Sequence, residues 1–125
     1  MKIQYTKVLI IGAGGIGSPV ALFLSRSGIS SMGIIDYDKI DKSNLHRQIL
    51  FDQKDIGKSK VLVTKNKILK VDKKIKIKTY NKKINSINLK AIIKDYDYIV
   101  DGTDNFQSKL SINDECANQK KKLFI

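Results

Sequence analysis

The chain has one cysteine, one proline and no tryptophan. A lone thiol, Cys116, closes no internal disulfide and makes no cysteine zinc site. The compartment expected is therefore a reducing one, cytoplasmic or equivalent. No apolar run approaches the about 20 residues needed to span a bilayer, and the first residues do not read as a secretory signal, so no membrane partner is expected. Arginine is nearly absent as well: only Arg26 and Arg47 stand among 24 basic residues, and lysine supplies the rest of a +12 net charge. Such a charge suits a polyanion, but aromatic side chains do not interleave the lysine-rich stretches as base stacking requires. The lysines read as solvated faces, and nucleic acid is not the expected partner. No internal repeat or low-complexity block divides the 125 residues, which leaves room for one domain over 1–125 with a small core.

What is present begins with Val8-Leu-Ile-Ile11, an apolar run that predicts a strand from Thr6 to Ile11 buried on both faces. It stops at Gly12-Ala-Gly-Gly-Ile-Gly17, and a helical pattern follows from Ser18 to Ser27 with Val20, Phe23 and Leu24 on one face. Strand, glycine turn and helix N-terminus form a dinucleotide-binding arrangement. Gly12 allows the turn, Gly14 and Gly15 bring backbone N–H groups to a phosphate, and Gly17 lets the helix lie close to the strand. Unpaired amides and the positive end of the helix dipole would hold the anion. Pro19 falls in the first turn, where a missing N–H costs little, and Gly28 closes the helix. A second strand, Ser31 to Asp36, delivers Asp36 to its C-terminal end, 19 positions beyond Gly17. A carboxylate there is placed to accept ribose hydroxyls.

Beyond Asp36 the chain departs from a dehydrogenase pattern. The polar segment Ser43-Asn-Leu-His-Arg47 carries one of the two arginines, with Ser43 and Asn44 as neutral hydrogen-bond partners. A guanidinium clamps polyphosphate through paired hydrogen bonds. Asp55-Ile-Gly57-Lys-Ser-Lys60 opens a helix reaching about Val71, with Val61, Ile68 and Leu69 inward. A lysine in its first turn opposes the dipole and is better explained by a bound anion. Lys74 to Tyr80 alternates as a half-exposed edge strand. A short helix from Ile84 to Lys94 is expected to face Ile87, Ala91 and Ile92 inward. The buried strand Tyr96 to Val100 ends in Asp101-Gly-Thr-Asp104-Asn105. A helix from Gln107 to Gln119 and a last strand from Lys121 to Ile125 complete the pattern. The alternation specifies an α/β fold, a Rossmann-like, doubly wound, mostly parallel sheet in the order 3-2-1-4-5 that stops at the fifth strand. Cys116 reads as a buried structural thiol.

An arginine and a lysine exceed what the pyrophosphate of a nicotinamide cofactor needs. They match a triphosphate, with Asp104 free to hold the accompanying Mg²⁺. Displacement at phosphorus is the chemistry such a set supports, and the absence of a Walker sequence excludes a P-loop enzyme. An NAD-dependent oxidoreductase, resting on the glycine motif and Asp36 alone, leaves Arg47, Lys60 and Asp104-Asn105 unexplained.

At Gly12-Ala-Gly-Gly-Ile-Gly17, Asp36-Tyr-Asp38, Ser43-Asn-Leu-His-Arg47-Gln-Ile-Leu-Phe51, Gly57-Lys-Ser-Lys60, Asp101-Gly-Thr-Asp104-Asn-Phe106 and Ile112-Asn-Asp114 the sequence resembles the ThiF/MoeB/HesA adenylyltransferases, relatives of the ubiquitin-activating enzymes. The wording is closest to the ThiF branch. The resemblance implies an ATP- and Mg²⁺-dependent enzyme that activates the C-terminal glycine of a ubiquitin-like sulfur carrier as an acyl-adenylate, for thiamine or molybdopterin biosynthesis. It places Gly15 and Arg47 on the phosphates and Asp36 on the ribose. Ser43, Asn44, Leu45 and His46 line the site, Lys60 stabilises phosphate charge, Asp104 holds Mg²⁺, and Asn105 completes the pocket. It further implies a homodimer, an arginine where Lys109 stands, an N-terminal arm bearing an arginine, and a C-terminal half with carrier-binding surface and Cys-x-x-Cys zinc pairs. None of these last segments lies within the 125 residues, so the expectation is the nucleotide-binding half, as a fragment, split product or remnant. A non-catalytic partner subunit is the alternative; retention of Arg47, Lys60 and Asp104 argues against it.

Overall fold

The computed structural model describes residues 5–14, 17–46 and 50–124, and of Asn44 and His46 the backbone only. Five strands form one sheet in the order β3-β2-β1-β4-β5: β1 Lys7–Ile11, β2 Ser31–Ile35, β3 Lys76–Tyr80, β4 Tyr98–Asp101 and β5 Lys122–Phe124. Every pairing is parallel, so each connection must cross a face of the sheet. The four helices that do so are α1 Gly17–Ser25, α2 Lys60–Val71, α3 Ser86–Ile93 and α4 Phe106–Asn118. Ala21 of α1 and Val61 and Ile68 of α2 pack on Val8, Ile10, Met32, Ile34 and Ile77. On the opposite face Leu89, Ile92 and Ile93 of α3 and Ile112 and Cys116 of α4 pack on Leu9, Ile11, Ile35 and Ile99. The direction of winding therefore reverses between β1 and β4, where an open α/β sheet leaves a crevice at its strand C-termini.

The strand order and the α/β class agree with the sequence reading; several inward faces do not. Phe23, expected inside α1, is 70% exposed, and the buried positions are Gly17, Ser18, Ala21 and Ser25. Small side chains let this helix lie against β1; Val20 and Leu24, expected inward with Phe23, pack partly buried on the core beside Leu22, and Phe23 alone of the large apolar residues turns outward. Ile92 is buried as expected, but Ile87 and Ala91, expected inside α3, are exposed, and Leu89 and Ile93 are buried in their place. The cause is the N-cap: Asn85 accepts from the N–H groups of Ile87 and Asn88, while Asn88 accepts from Asn85 N–H. This capping box starts the helix two residues later than expected and leaves Ile87 exposed in its first turn. In α2 the first helical residue is Lys60, in the first turn as expected and with the expected end at Val71; Gln53–Asp55 ahead of it forms a separate 3-10 turn and Gly57 adopts φ +86°.

The half of the sheet left bare by α3 and α4 is closed by two tyrosines. Tyr96 lies across Gly33 of β2, and its hydroxyl meets that of Tyr80 at 3.0 Å. Burial, then the hydroxyl contact with Tyr80, pushes the Tyr96 phenol well above its ordinary value. A Cβ at Gly33 would collide with the Tyr96 hydroxyl and ring edge. Gly33→Ala is expected to destabilise the domain by about 1–3 kcal/mol, the range for forced overpacking, measured by urea denaturation; an unchanged midpoint would show that Tyr96 is free to move aside.

Candidate functional site

Three glycines hold the crevice together. Gly12, at φ +94°, donates from its N–H to Ile35 C=O at 2.8 Å, and Gly102 donates to Ile11 C=O at 2.7 Å. A Cβ at Gly12 would stand 2.8 Å from the backbone of Gly102, and one at Gly17 would collide with Gly12 C=O. The ends of β1 and β4 and the first turn of α1 thus meet backbone to backbone. Ser18 secures the turn, its hydroxyl donating to Ala13 C=O at 2.5 Å. The first turn of α1 carries no acidic residue, which leaves its positive end uncompensated.

A cavity of about 410 Å³ opens over this junction, within the size range of small-molecule sites. Its walls include Gly12 and Gly14 from the glycine turn, Asp36, Tyr37 and Asp38 after β2, and Lys60 at the start of α2. Lys82 and Lys83 contribute from the loop after β3, and Gly102, Thr103, Asp104, Asn105 and Ser108 from the end of β4 and the start of α4. Asp36 accepts from Ala13 N–H at 2.7 Å and from Asp38 N–H at 2.8 Å. Each carboxylate oxygen has a second lone pair, so a diol remains a possible partner. Lys60 is 6% exposed; its N–H donates to Asp38 C=O at 3.1 Å and its ammonium lies 3.7 Å from the Asp38 carboxylate. Asp104 is exposed. Asn105 caps α4 by accepting from Ser108 N–H at 2.8 Å, so it builds the helix end as well as the wall.

Gly12, Gly14, Asp36, Lys60, Asp104 and Asn105 are therefore brought together as the sequence predicts. Gly15 and Arg47 lie outside the described residues, as do the side chains of Asn44 and His46. Gly17 packs beneath the turn and is not a wall of the cavity. Ser43 is exposed and donates to Asp41 at 3.2 Å, and Leu45 packs on the small cluster of Ile40, Phe51 and Val63. Neither side chain reaches the cavity, because Lys42–His46 is a 3-10 turn whose apolar member serves that cluster. Sequence reasoning missed Lys82 and Lys83, which merge with the lysine background, and the structural weight of Asp101. That residue is 1% exposed, takes two hydrogen bonds from Thr103 and faces Lys109 at 3.5 Å. Its signal was present: a carboxylate ending an apolar strand. Cys116 is buried, and burial, then the charges of Glu115 and Asp101, raises its thiol to about 11. It is an inert core residue, as expected. Among the described residues no group of three or more His, Cys, Asp or Glu side chains could hold a metal by itself.

A doubly wound parallel sheet with a polar cavity at its switch point, closed by a glycine turn, defines a Rossmann-like domain. The sequence matches the ThiF family over residues 1–125, and the chain belongs to that family. It is 45% identical over 120 residues to a "Probable molybdopterin-synthase adenylyltransferase" of Porphyra purpurea, covering 96% of this chain and 31% of the relative. To "Adenylyltransferase and sulfurtransferase MOCS3" of Dictyostelium discoideum it is 42% identical over 123 residues, covering 98% of this chain and 29% of the relative. The chain thus spans about a third of the length of the curated relatives it matches. Among solved structures, E. coli tRNA N6-threonylcarbamoyladenosine dehydratase TcdA in complex with ATP superposes with TM-score 0.93 at 24% identity, over 97% of this chain and 50% of that one. E. coli MccB with ATP superposes with TM-score 0.90 at 32% identity, over 97% of this chain and 36% of that one.

The motif segment around Ser43 is followed by a loop that is pinned to α2. Asp55, 4% exposed, accepts from Asp52 N–H at 2.9 Å and pairs with Lys67 at 2.9 Å, while Lys67 also donates to Leu50 C=O. Burial raises the Asp55 pKa, but the Asp52 N–H and the ammonium groups of Lys67 and Lys58 outweigh it, and the net value lies below the ordinary one. A depressed carboxylate contributes stability that is complete above its unfolded value, about pH 4, and is lost as pH falls through the folded value. Asp55→Asn is expected to lower stability near pH 7 by about 2 kcal/mol and to flatten the acid limb of the melting profile. An acid limb identical to wild type would remove Asp55 from this role.

Proposed function

We propose that the chain is the nucleotide-binding portion of an ATP-dependent adenylyltransferase that activates the C-terminal carboxylate of a ubiquitin-like sulfur carrier. The observation that carries this reading is the convergence of Gly12, Gly14, Asp36, Lys60 and Asp104 on one cavity. The glycine turn and the α1 N-terminus take the phosphates, and Asp36 takes the ribose. Lys60 and Arg47 neutralise phosphate charge as the carrier carboxylate displaces pyrophosphate from the α-phosphorus. Positioning and charge compensation supply most of the rate gain. Names of the curated relatives favour the molybdopterin route over thiamine, and the ATP complexes of TcdA and MccB support the choice of nucleotide. A sulfur carrier as partner and a homodimeric assembly follow from the family and belong to the same proposal.

A magnesium ion fits the donors present. Mg²⁺ is commonly held by one or two carboxylates, with the remaining positions filled by phosphate oxygens and water. A single exposed Asp104 in the cavity wall suits that arrangement, and a dedicated protein cage is not needed. Bound there, the metal would neutralise charge on the triphosphate.

Titration calorimetry with MgATP tests the assignment. Lys60→Ala, Asp104→Ala and Arg47→Ala are each expected to weaken binding by about tenfold or more, the loss of one charge-assisted contact, with the fold retained by circular dichroism. Unchanged affinity in all three would remove the site, and preference for NAD over ATP would favour an oxidoreductase.

A further inference from the structure

Lys60 and Asp38 form an unequal pair. The Lys60 side chain is 7% exposed and the Asp38 side chain 51%, with 3.7 Å between their charges. A buried ammonium requires a counter-charge, whereas an exposed carboxylate is solvated without one. The Asp38 backbone is held independently of its side chain: its N–H donates to Asp36 at 2.8 Å and its C=O accepts from Lys60 at 3.1 Å. The carboxylate can therefore leave the ammonium without disturbing Asp36 or the start of α2. Both residues line the cavity, so an anion entering it meets a lysine whose present partner is easily released.

We propose that Asp38 is a positioning residue that stands in for a phosphate: it balances Lys60 in the free protein and yields it to the triphosphate of the nucleotide. The inference rests on the nucleotide reading above and assigns a role to a side chain that reading leaves unused. Holding Lys60 in place against the cavity ready for the ligand avoids a conformational search on binding. The same contact opposes binding, since the carboxylate must first be displaced.

The two effects give opposite signs in one variant, Asp38→Asn, and calorimetry with inorganic tripolyphosphate, ATP and adenosine reads them. Tripolyphosphate and ATP are expected to bind roughly two- to fivefold tighter, the scale of a partly exposed ion pair, with adenosine unchanged. The ligand-free melting temperature is expected to fall, because Lys60 loses its partner. A merely structural role would lower stability and affinity together. In a Lys60→Met background the gain from Asp38→Asn is expected to shrink; a gain of equal size there would mean general repulsion and overturn the exchange. Should Asp38→Asn fail to fold, carboxyl-carbon NMR of the wild-type protein decides: the Asp38 signal is expected to move toward its solvated position on saturation with tripolyphosphate, and an unmoved signal overturns the proposal. Wild-type protein that binds neither ATP nor tripolyphosphate would sink the nucleotide reading along with this one. Binding by the wild type with no response at Asp38 would sink this one alone.

Discussion

No side chain can stand where Gly12, Gly17 and Gly102 meet, and the rest of the molecule is arranged about that exclusion. The contact is backbone against backbone, so it fixes the separation of β1, β4 and the start of α1 to within the tolerance of van der Waals packing. The hydrogen bonds from Gly12 to Ile35 and from Gly102 to Ile11 carry the constraint sideways, so that β2, β1 and β4 end at one level. Asp36 follows Ile35 directly, and Asp104 follows Gly102 by two residues. Their approach to one cavity is thus a consequence of strand register and needs no further device. This is why a glycine turn, which by itself indicates only a nucleotide, becomes informative once the strands beside it also end in polar residues.

The elements most legible in the sequence were those whose signal is a backbone requirement. Gly12 and Gly28, read as turn and helix-end residues, both adopt positive φ. The strand at Lys76–Tyr80, read as an edge from its alternating lysines, lies at the sheet edge. Faces of helices were less legible, because hydrophobicity alone does not say how near a helix lies to its sheet. In α1 the approach is close enough that Gly17, Ser18, Ala21 and Ser25 make the contact and Phe23 is expelled. A search for large apolar residues at helical spacing therefore finds Val20 and Leu24, which pack partly buried on the core, but misses the small residues that make the close contact and wrongly includes Phe23. The error in α3 has a different origin: a polar capping box starts the helix at Ser86, which leaves Ile87 exposed in its first turn, while Ile92 keeps the inward position expected of it.

The site divides in the same way. Residues at strand ends, such as Asp36 and Asp104, could be placed because the fold class alone puts strand C-termini together. Ser43 and Leu45 were assigned through a motif whose local conformation the sequence does not reveal; a 3-10 turn directs Leu45 to the cluster of Ile40, Phe51 and Val63. Lys82 and Lys83 line the cavity and were invisible for a statistical reason. Where lysine is the background residue of every exposed face, a functional lysine carries no contrast.

That background also obscures the electrostatics of the cavity, which differ from those of the chain. The protein carries a net charge of +12, yet the cavity walls bring Lys60, Lys82 and Lys83 against Asp36, Asp38 and Asp104. Three cations face three carboxylates, and the described lining is formally neutral. A neutral lining keeps buried Lys60 compensated before any ligand arrives, but it offers no surplus for a polyanion. Under the nucleotide reading proposed above, the surplus would come from the α1 N-terminus and Arg47 together with a change in this balance. A carboxylate turning to solvent, as proposed for Asp38, would release one cation, and a divalent cation on Asp104 would convert an acidic wall into a positive one. The excess of surface lysine, by contrast, is screened beyond about one Debye length, near 8 Å in physiological salt. It can raise the encounter rate of an anion but contributes little to the charge balance inside the cavity.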